Sequence, residues 1–227
     1  LRRKLAALNA TLSLSDVIFQ EIRDYQRNLH NELKKRRRSF AERVETETHG
    51  AALKSHEEFP VAEQTSGPSF ANVDELLLNA LNAHNRGDFC GAIQLYDEIL
   101  ERQVDKMVRS VITVHRGMAL FAAARYSEAL ENFLSAADLE PDNNKVYYYL
   151  GIVYRVLDRP TEALSAFSRS LELFPYHIES LFSVAQTYFK LDDFPAALEY
   201  CEKALKIAPE EEKVKKLRGY IMEKMSL

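Results

Sequence analysis

Six histidines, two cysteines and a run of five cations are the residues in this chain best suited to chemistry, and their spacing decides what they can do. His30, His49, His56, His84, His115 and His177 assemble no set of three metal ligands at helical spacing; His84 and His115 could approach one another across adjacent helices, but no third ligand goes with them. Cys90 and Cys201 match neither a metal spacing nor a disulfide framework, so reduced, packed thiols are expected. Lys34, Lys35, Arg36, Arg37 and Arg38 form a basic patch that could hold nucleic acid, anionic lipid or an import receptor. No aromatic residue interleaves with it, so single-stranded nucleic acid finds no stacking platform, and a solvated face is the simpler reading. Asp192-Asp193 and Glu210-Glu211-Glu212 read as helix caps. No Gly-rich phosphate loop, nucleophile elbow or kinase signature occurs. The expectation is no catalytic residue, no metal and no cofactor.

The elements that carry these residues follow from composition. In 227 residues there are 7 Gly, 7 Pro and no Trp, too few turn formers for a sandwich or barrel and enough for long helices with short loops. Apolar stretches stop short of the roughly 18 residues a membrane helix needs, which argues against a membrane partner. The net charge of −4 gives no global case for nucleic acid. No apolar leader core follows Arg2-Arg3-Lys4, and the expected location is cytoplasmic. The first residue is Leu1 rather than Met, which suggests a processed chain or a piece of a longer one.

Charge divides unevenly. Residues 1–48 hold 11 Lys or Arg against 7 Asp or Glu, while residues 49–227 hold 19 against 27. The basic arm is apolar at heptad spacing at Leu5, Leu8, Leu12, Phe19, Ile22, Leu29, Leu33 and Phe40, broken at Ser15, Gln26 and Arg36. That pattern predicts a long amphipathic, coiled-coil-like helix over 1–48 that needs a partner surface: a second copy or the rest of its own chain. Residues 49–71, with Gly50, Pro60 and Ser66-Gly67-Pro68-Ser69, read as a linker. Order returns at Asn72, which with Glu75 resembles a helix N-cap.

Beyond the linker one pattern recurs. An alanine opens the second half of each unit at Ala92, Ala129, Ala163 and Ala197, at spacings of 37, 34 and 34 residues. Four residues on stand Tyr96, Phe133, Phe167 and Cys201, and three further Ile99, Ala136, Ser170 and Ala204. Twelve residues before each alanine is Ala80, Gly117, Gly151 or Ala185. Pro141, Pro175 and Pro209 close the last three units; Val104 stands in the first. This resembles the tetratricopeptide repeat family, most clearly in Tyr147…Leu150-Gly151…Tyr154…Pro160…Ala163…Phe167…Pro175.

The resemblance implies an all-α fold: a right-handed superhelical solenoid of four helix hairpins over 72–209 (72–106, 107–143, 144–177 and 178–209). Residues 210–227 would cap it with Val214, Leu217, Ile221 and Met222 on the buried face. The first unit departs from the pattern: it has Ala83 where later ones have Leu120, Tyr154 and Tyr188, and three extra residues follow it. A helix pair lengthened by a turn around Glu101–Lys106, or a junction that bends differently, is expected there.

In this family the first helix of each hairpin lines a concave groove. Transferring those places gives Leu77, Leu81 and His84, then Val111, Val114, His115, Met118 and Phe121. Lys145, Tyr148, Tyr149, Ile152 and Arg155 follow, then Phe182, Gln186, Phe189 and Lys190. The family's clamp for a chaperone's terminal carboxylate would require Lys, Asn, Asn and Arg at the places held here by Leu77, Leu81, His115 and Tyr149, with Lys145 the one match, so that clamp is not expected. The function expected is a non-catalytic scaffold or adaptor whose groove takes an amphipathic helix or apolar peptide, with Tyr148, Tyr149, Phe182 and Phe189 as anchors. The N-terminal arm would serve self-association or dock in the groove. The alternative is a regulatory or targeting portion of a larger enzyme or signalling protein.

Overall fold

The computed structural model describes residues 70–226. The arm with its coiled-coil-like seam, the basic patch Lys34–Arg38 and almost all of the linker lie outside the described residues. Those described form nine α-helices and no strand: α1 Phe70–Asn85, α2 Phe89–Leu100, α3 Lys106–Ala122, α4 Tyr126–Leu139, α5 Asn144–Val156, α6 Pro160–Leu173, α7 Ile178–Lys190, α8 Phe194–Ile207 and α9 Glu212–Met225. The described residues divide between two compact units, with the boundary between Leu95 and Tyr96.

In the first unit, α1 buries Leu77, Ala80, Leu81 and His84, an i, i+3, i+4, i+7 stripe. It begins at Phe70, so Asn72 lies inside the helix rather than capping it. Nothing between Pro68 and Asn72 breaks a helix, and the first turn forms two residues earlier than the cap signal placed it. Gly87 turns the chain with a positive φ of 81°, and Oδ1 of Asp88 then accepts from the Gly91 amide at 2.9 Å at the start of α2.

In the second unit α3 pairs with α4, α5 with α6 and α7 with α8, while α4 lies on α5, α6 on α7 and α9 on α8. Close approach within a hairpin explains the small residue twelve before each alanine. A Cβ placed on Gly117 would stand 2.9 Å from the Phe133 ring, and one on Gly151 would press still harder on Phe167. Ala129, Ala163 and Ala197 are completely buried, as are the residues four and seven further on: Phe133 and Ala136, Phe167 and Ser170, Cys201 and Ala204.

Each hairpin turn is built alike. Ala124, Asp158 and Asp192 have φ of 59°, 58° and 60°, and Gly87 holds the matching place in the first unit. The next residue's amide donates to the carbonyl five residues back: Arg125 to Leu120 at 2.9 Å, Arg159 to Tyr154 at 2.9 Å, Asp193 to Tyr188 at 3.0 Å and Asp88 to Ala83 at 2.9 Å. This left-handed C-terminal cap satisfies helix-end carbonyls and reverses the chain in two residues. Pro141, Pro175 and Pro209 each follow a helix C-cap directly, at Glu140, Phe174 and Ala208, where a missing N–H does no harm.

The expected lengthening of the helix around Glu101–Lys106 is not found. α2 stops at Leu100, and Asp105 starts α3 by accepting the Val108 amide at 2.8 Å, so the extra residues form a connection. α9 covers α8 with Val214 and Ile221 fully buried and Leu217 partly so. Met222 is 51% exposed, a correction to the expected buried face: it follows Ile221 by one residue, about 100° round the helix. Cys201 is packed in the core and burial raises its thiol pKa to about 11, but Cys90 is exposed, against the expectation that both thiols are packed. No helix among the described residues is long and apolar enough to cross a membrane.

Candidate interaction groove

Of the fourteen groove residues of the second unit, which fall on α3, α5 and α7, Lys145 is exposed and the rest divide by depth. His115, Met118, Tyr148, Tyr149 and Ile152 are buried. Val111, Val114, Phe121, Arg155, Phe182, Gln186 and Phe189 are half-buried, and Lys190 is exposed. On α3, Val111, Val114, Met118 and Phe121 recur at three- and four-residue steps and share one face, as do Tyr148, Ile152 and Arg155 on α5 and Phe182, Gln186 and Phe189 on α7. Leu77, Leu81 and His84 of the first unit are buried as well.

The buried members are held by ring contacts. His115 stacks on Tyr96 with centroids 6.1 Å apart. Tyr149 stacks on Phe133 at 5.3 Å, Tyr148 lies 5.5 Å from Tyr149, and Tyr148 also meets Phe167 at 6.1 Å and the edge of His177 at 5.1 Å. Two of the four expected anchors therefore form the floor of this face. Phe182 and Phe189 stand partly clear of it, Phe189 against Phe194 at 5.7 Å.

The C-terminal ends of α5 and α7 are tied together by polar groups. Arg155 Nη1 donates to Gln186 Oε1 at 2.7 Å, and Lys190 Nζ donates to Asp158 Oδ1 at 2.6 Å. Burial lowers the Arg155 pKa to about 10, with the adjacent Tyr148 acting the other way, and the guanidinium is charged at neutral pH.

A second polar cluster joins His177 and Ser170, which the sequence offered only separately, through Ser180, which it did not mark. His177 Nδ1 and Ser180 Oγ share a hydrogen bond of 2.7 Å, and Ser180 Oγ and Ser170 Oγ one of 2.9 Å. His177 Nε2 stands 3.5 Å from Glu179 Oε2. A histidine beside a serine invites a nucleophile–base reading, but both hydroxyls are sealed from water and spent on each other and on the ring. The sequence held a clue: Ser170 occupies the column filled by Ile99, Ala136 and Ala204, and a hydroxyl there must find a partner. Arg116 does similar work on the other side, donating to Asp97 Oδ1 and, at 2.9 Å, to Asn132 Oδ1. No group of three or more His, Cys, Asp or Glu suited to a metal occurs among the described residues.

Stacked helix hairpins closed by one repeated turn, with aromatic residues on their first helices, define a helical repeat fold. Residues 142–210 match the family model described as tetratricopeptide repeat. The chain is 31% identical over 93 residues to Tetratricopeptide repeat protein 8 of Mus musculus, covering 41% of this chain and 18% of that protein. It is 34% identical over 119 residues to Protein O-mannosyl-transferase TMTC3 of Homo sapiens, covering 52% of this chain and 13% of that one. The chain thus spans less than a fifth of the length of these curated relatives. Among solved structures, MamA superposes with a TM-score of 0.60 at 21% identity, over 65% of this chain and 85% of that one. YrrB, a TPR protein with an unusual peptide-binding site, gives 0.58 at 18%, over 65% and 74%. At such identities the likeness speaks for the fold. The described residues form an all-α solenoid of the tetratricopeptide-repeat type, and residues 142–210 match that family's model.

Proposed function

We propose that this protein is a non-catalytic scaffold that binds an amphipathic helix or apolar peptide along α3, α5 and α7. One observation carries the reading. The half-buried Val111, Val114, Phe121, Phe182 and Phe189 lie beside a floor of Met118, Tyr148, Tyr149 and Ile152. Apolar side chains left partly open over a packed aromatic base offer area that a partner can cover. The likeness to a peptide-binding TPR protein accords with this use. The transferase activity in one relative's name belongs to a protein of which the matched segment is 13%.

The test uses a phage-displayed library of peptides apolar at i, i+3, i+4 and i+7 and randomised elsewhere, selected against the 227-residue chain. Enriched peptides should lose binding to the Phe182→Glu, Phe189→Glu double variant, since truncating a central aromatic anchor typically costs about 2 kcal/mol. Circular dichroism checks that the variant is folded. Peptides that bind it as tightly as the unaltered chain exclude this face.

A further inference from the structure

We propose that the segment bound in the groove carries an acidic side chain whose carboxylate is received by Arg155. This rests on the groove reading and adds the partner's chemistry to it.

Arg155 differs from six of the other described arginines in how its charge is met; Arg109, which donates to the Leu100 carbonyl, is an exception. Arg102, Arg116, Arg125, Arg159, Arg169 and Arg218 each reach a carboxylate: Glu98, Asp97, Glu128, Glu162, Glu172 and Glu202. Arg155 reaches the neutral amide oxygen of Gln186 through Nη1, while its Nη2 is buried without an acceptor among the described residues. The Asp158 carboxylate, three residues on in sequence, is engaged by Lys190. A guanidinium held partly out of water without a counter-charge is costly, and an arriving anion relieves that cost.

The geometry selects the anion. Nη1 and Nη2 present parallel N–H groups, and a carboxylate offers two oxygens at matching separation where the Gln186 amide offers one. To receive the carboxylate, Gln186 must give up Nη1 and the cover over Nη2 must shift. Arg155 lies on one stripe of α5 with Tyr148 and Ile152, and Gln186 lies between Phe182 and Phe189 on α7. The occupant is therefore a segment with apolar side chains on one face and a Glu or Asp placed among them. A phosphate would draw on more positive charge than this position offers, because Lys190 is held by Asp158.

The experiment is a two-by-two comparison. A peptide enriched from the library is made with its Glu or Asp and as the amide twin (Glu→Gln or Asp→Asn), and both are titrated against the unaltered chain, Arg155→Met and Lys190→Met. The acidic peptide should bind the unaltered chain about tenfold or more tightly than its twin, the scale for hydrogen bonds to charged groups. Arg155→Met should abolish that preference and bind the twin within about twofold of the unaltered chain; Lys190→Met should keep the preference. Arg155→Gln serves as a second variant should Arg155→Met melt early. Enriched peptides without a fixed acidic position, or a preference that survives in both Arg155 variants, overturn the proposal. Failure of the groove reading looks different: acidic peptide and twin alike then bind the Phe182→Glu, Phe189→Glu variant undiminished, and a library that yields no binder overturns both.

Discussion

Ser170 at the end of α6 and Ser180 in the first turn of α7 share a hydrogen bond 2.9 Å long, with both side chains sealed from water. His177, at the N-cap of α7, closes the chain on Ser180 at 2.7 Å. Three polar groups inside an apolar stack thus satisfy one another and fasten the third hairpin to the fourth.

Ser180→Ala removes the middle of that chain and strands the His177 Nδ1 and the Ser170 hydroxyl. Two buried groups without partners should lower unfolding free energy by about 2 kcal/mol or more. Urea denaturation measures it, with exposed Ser168→Ala as a control expected to stay within about 0.5 kcal/mol. Equal midpoints for the two variants would mean the chain adds nothing.

Acid should weaken the fold before its surface carboxylates titrate. Burial lowers the pKa of His84 from 6.5 to about 4, and neither ring nitrogen has a hydrogen-bond partner among the described residues. His177 is also lowered, chiefly by burial and secondarily by Lys145, against an upward pull from Glu179. A depressed histidine means that the unfolded chain takes up the proton first. Stability is therefore full above about pH 6.5 and falls as pH drops toward 4; His84 alone should account for about 2 kcal/mol lost by pH 5. Denaturation at pH 7.5 and 5 reads this, and His84→Leu should flatten the slope. A slope unchanged in that variant would assign the effect elsewhere.

Two glycines with opposite surroundings should respond oppositely to one methyl group. Gly151→Ala drives a Cβ into the Phe167 ring and should cost about 1–3 kcal/mol. Gly219, mid-helix in α9, has nothing within 4 Å of its would-be Cβ, and Gly219→Ala should gain up to about 1 kcal/mol from helix propensity. Thermal melts of the pair suffice; a Gly151→Ala chain as stable as the parent would show that α5 and α6 are not held at this distance.

That contrast also marks what could be read from the residues alone. Gly117 and Gly151 with Phe133 and Phe167 were legible because a close helix crossing forces one side to be small and the other to fill the gap. The hairpin turns were less so: of Gly87, Ala124, Asp158 and Asp192, only the glycine announces a positive φ, yet all four adopt it because the hydrogen bonds of the turn outweigh about 1 kcal/mol of strain. Groove positions could be assigned to helices but not to depth. Tyr148 and Tyr149 sit on the expected helix and are buried by neighbouring rings, since periodicity gives the face while packing partners decide how far a side chain sinks. The Ser170–Ser180–His177 chain spans two helices and had no local signature beyond one serine in an apolar column.

The most direct test of the binding face is a map of amide chemical shifts in the 15N-labelled chain on titrating a library-selected peptide. Shifts should concentrate on α3, α5 and α7, with the largest near Val114, Arg155, Phe182 and Phe189. Shifts confined to α4, α6 and α8, or to the exposed Tyr220, Met222 and Met225 of α9, would contradict it.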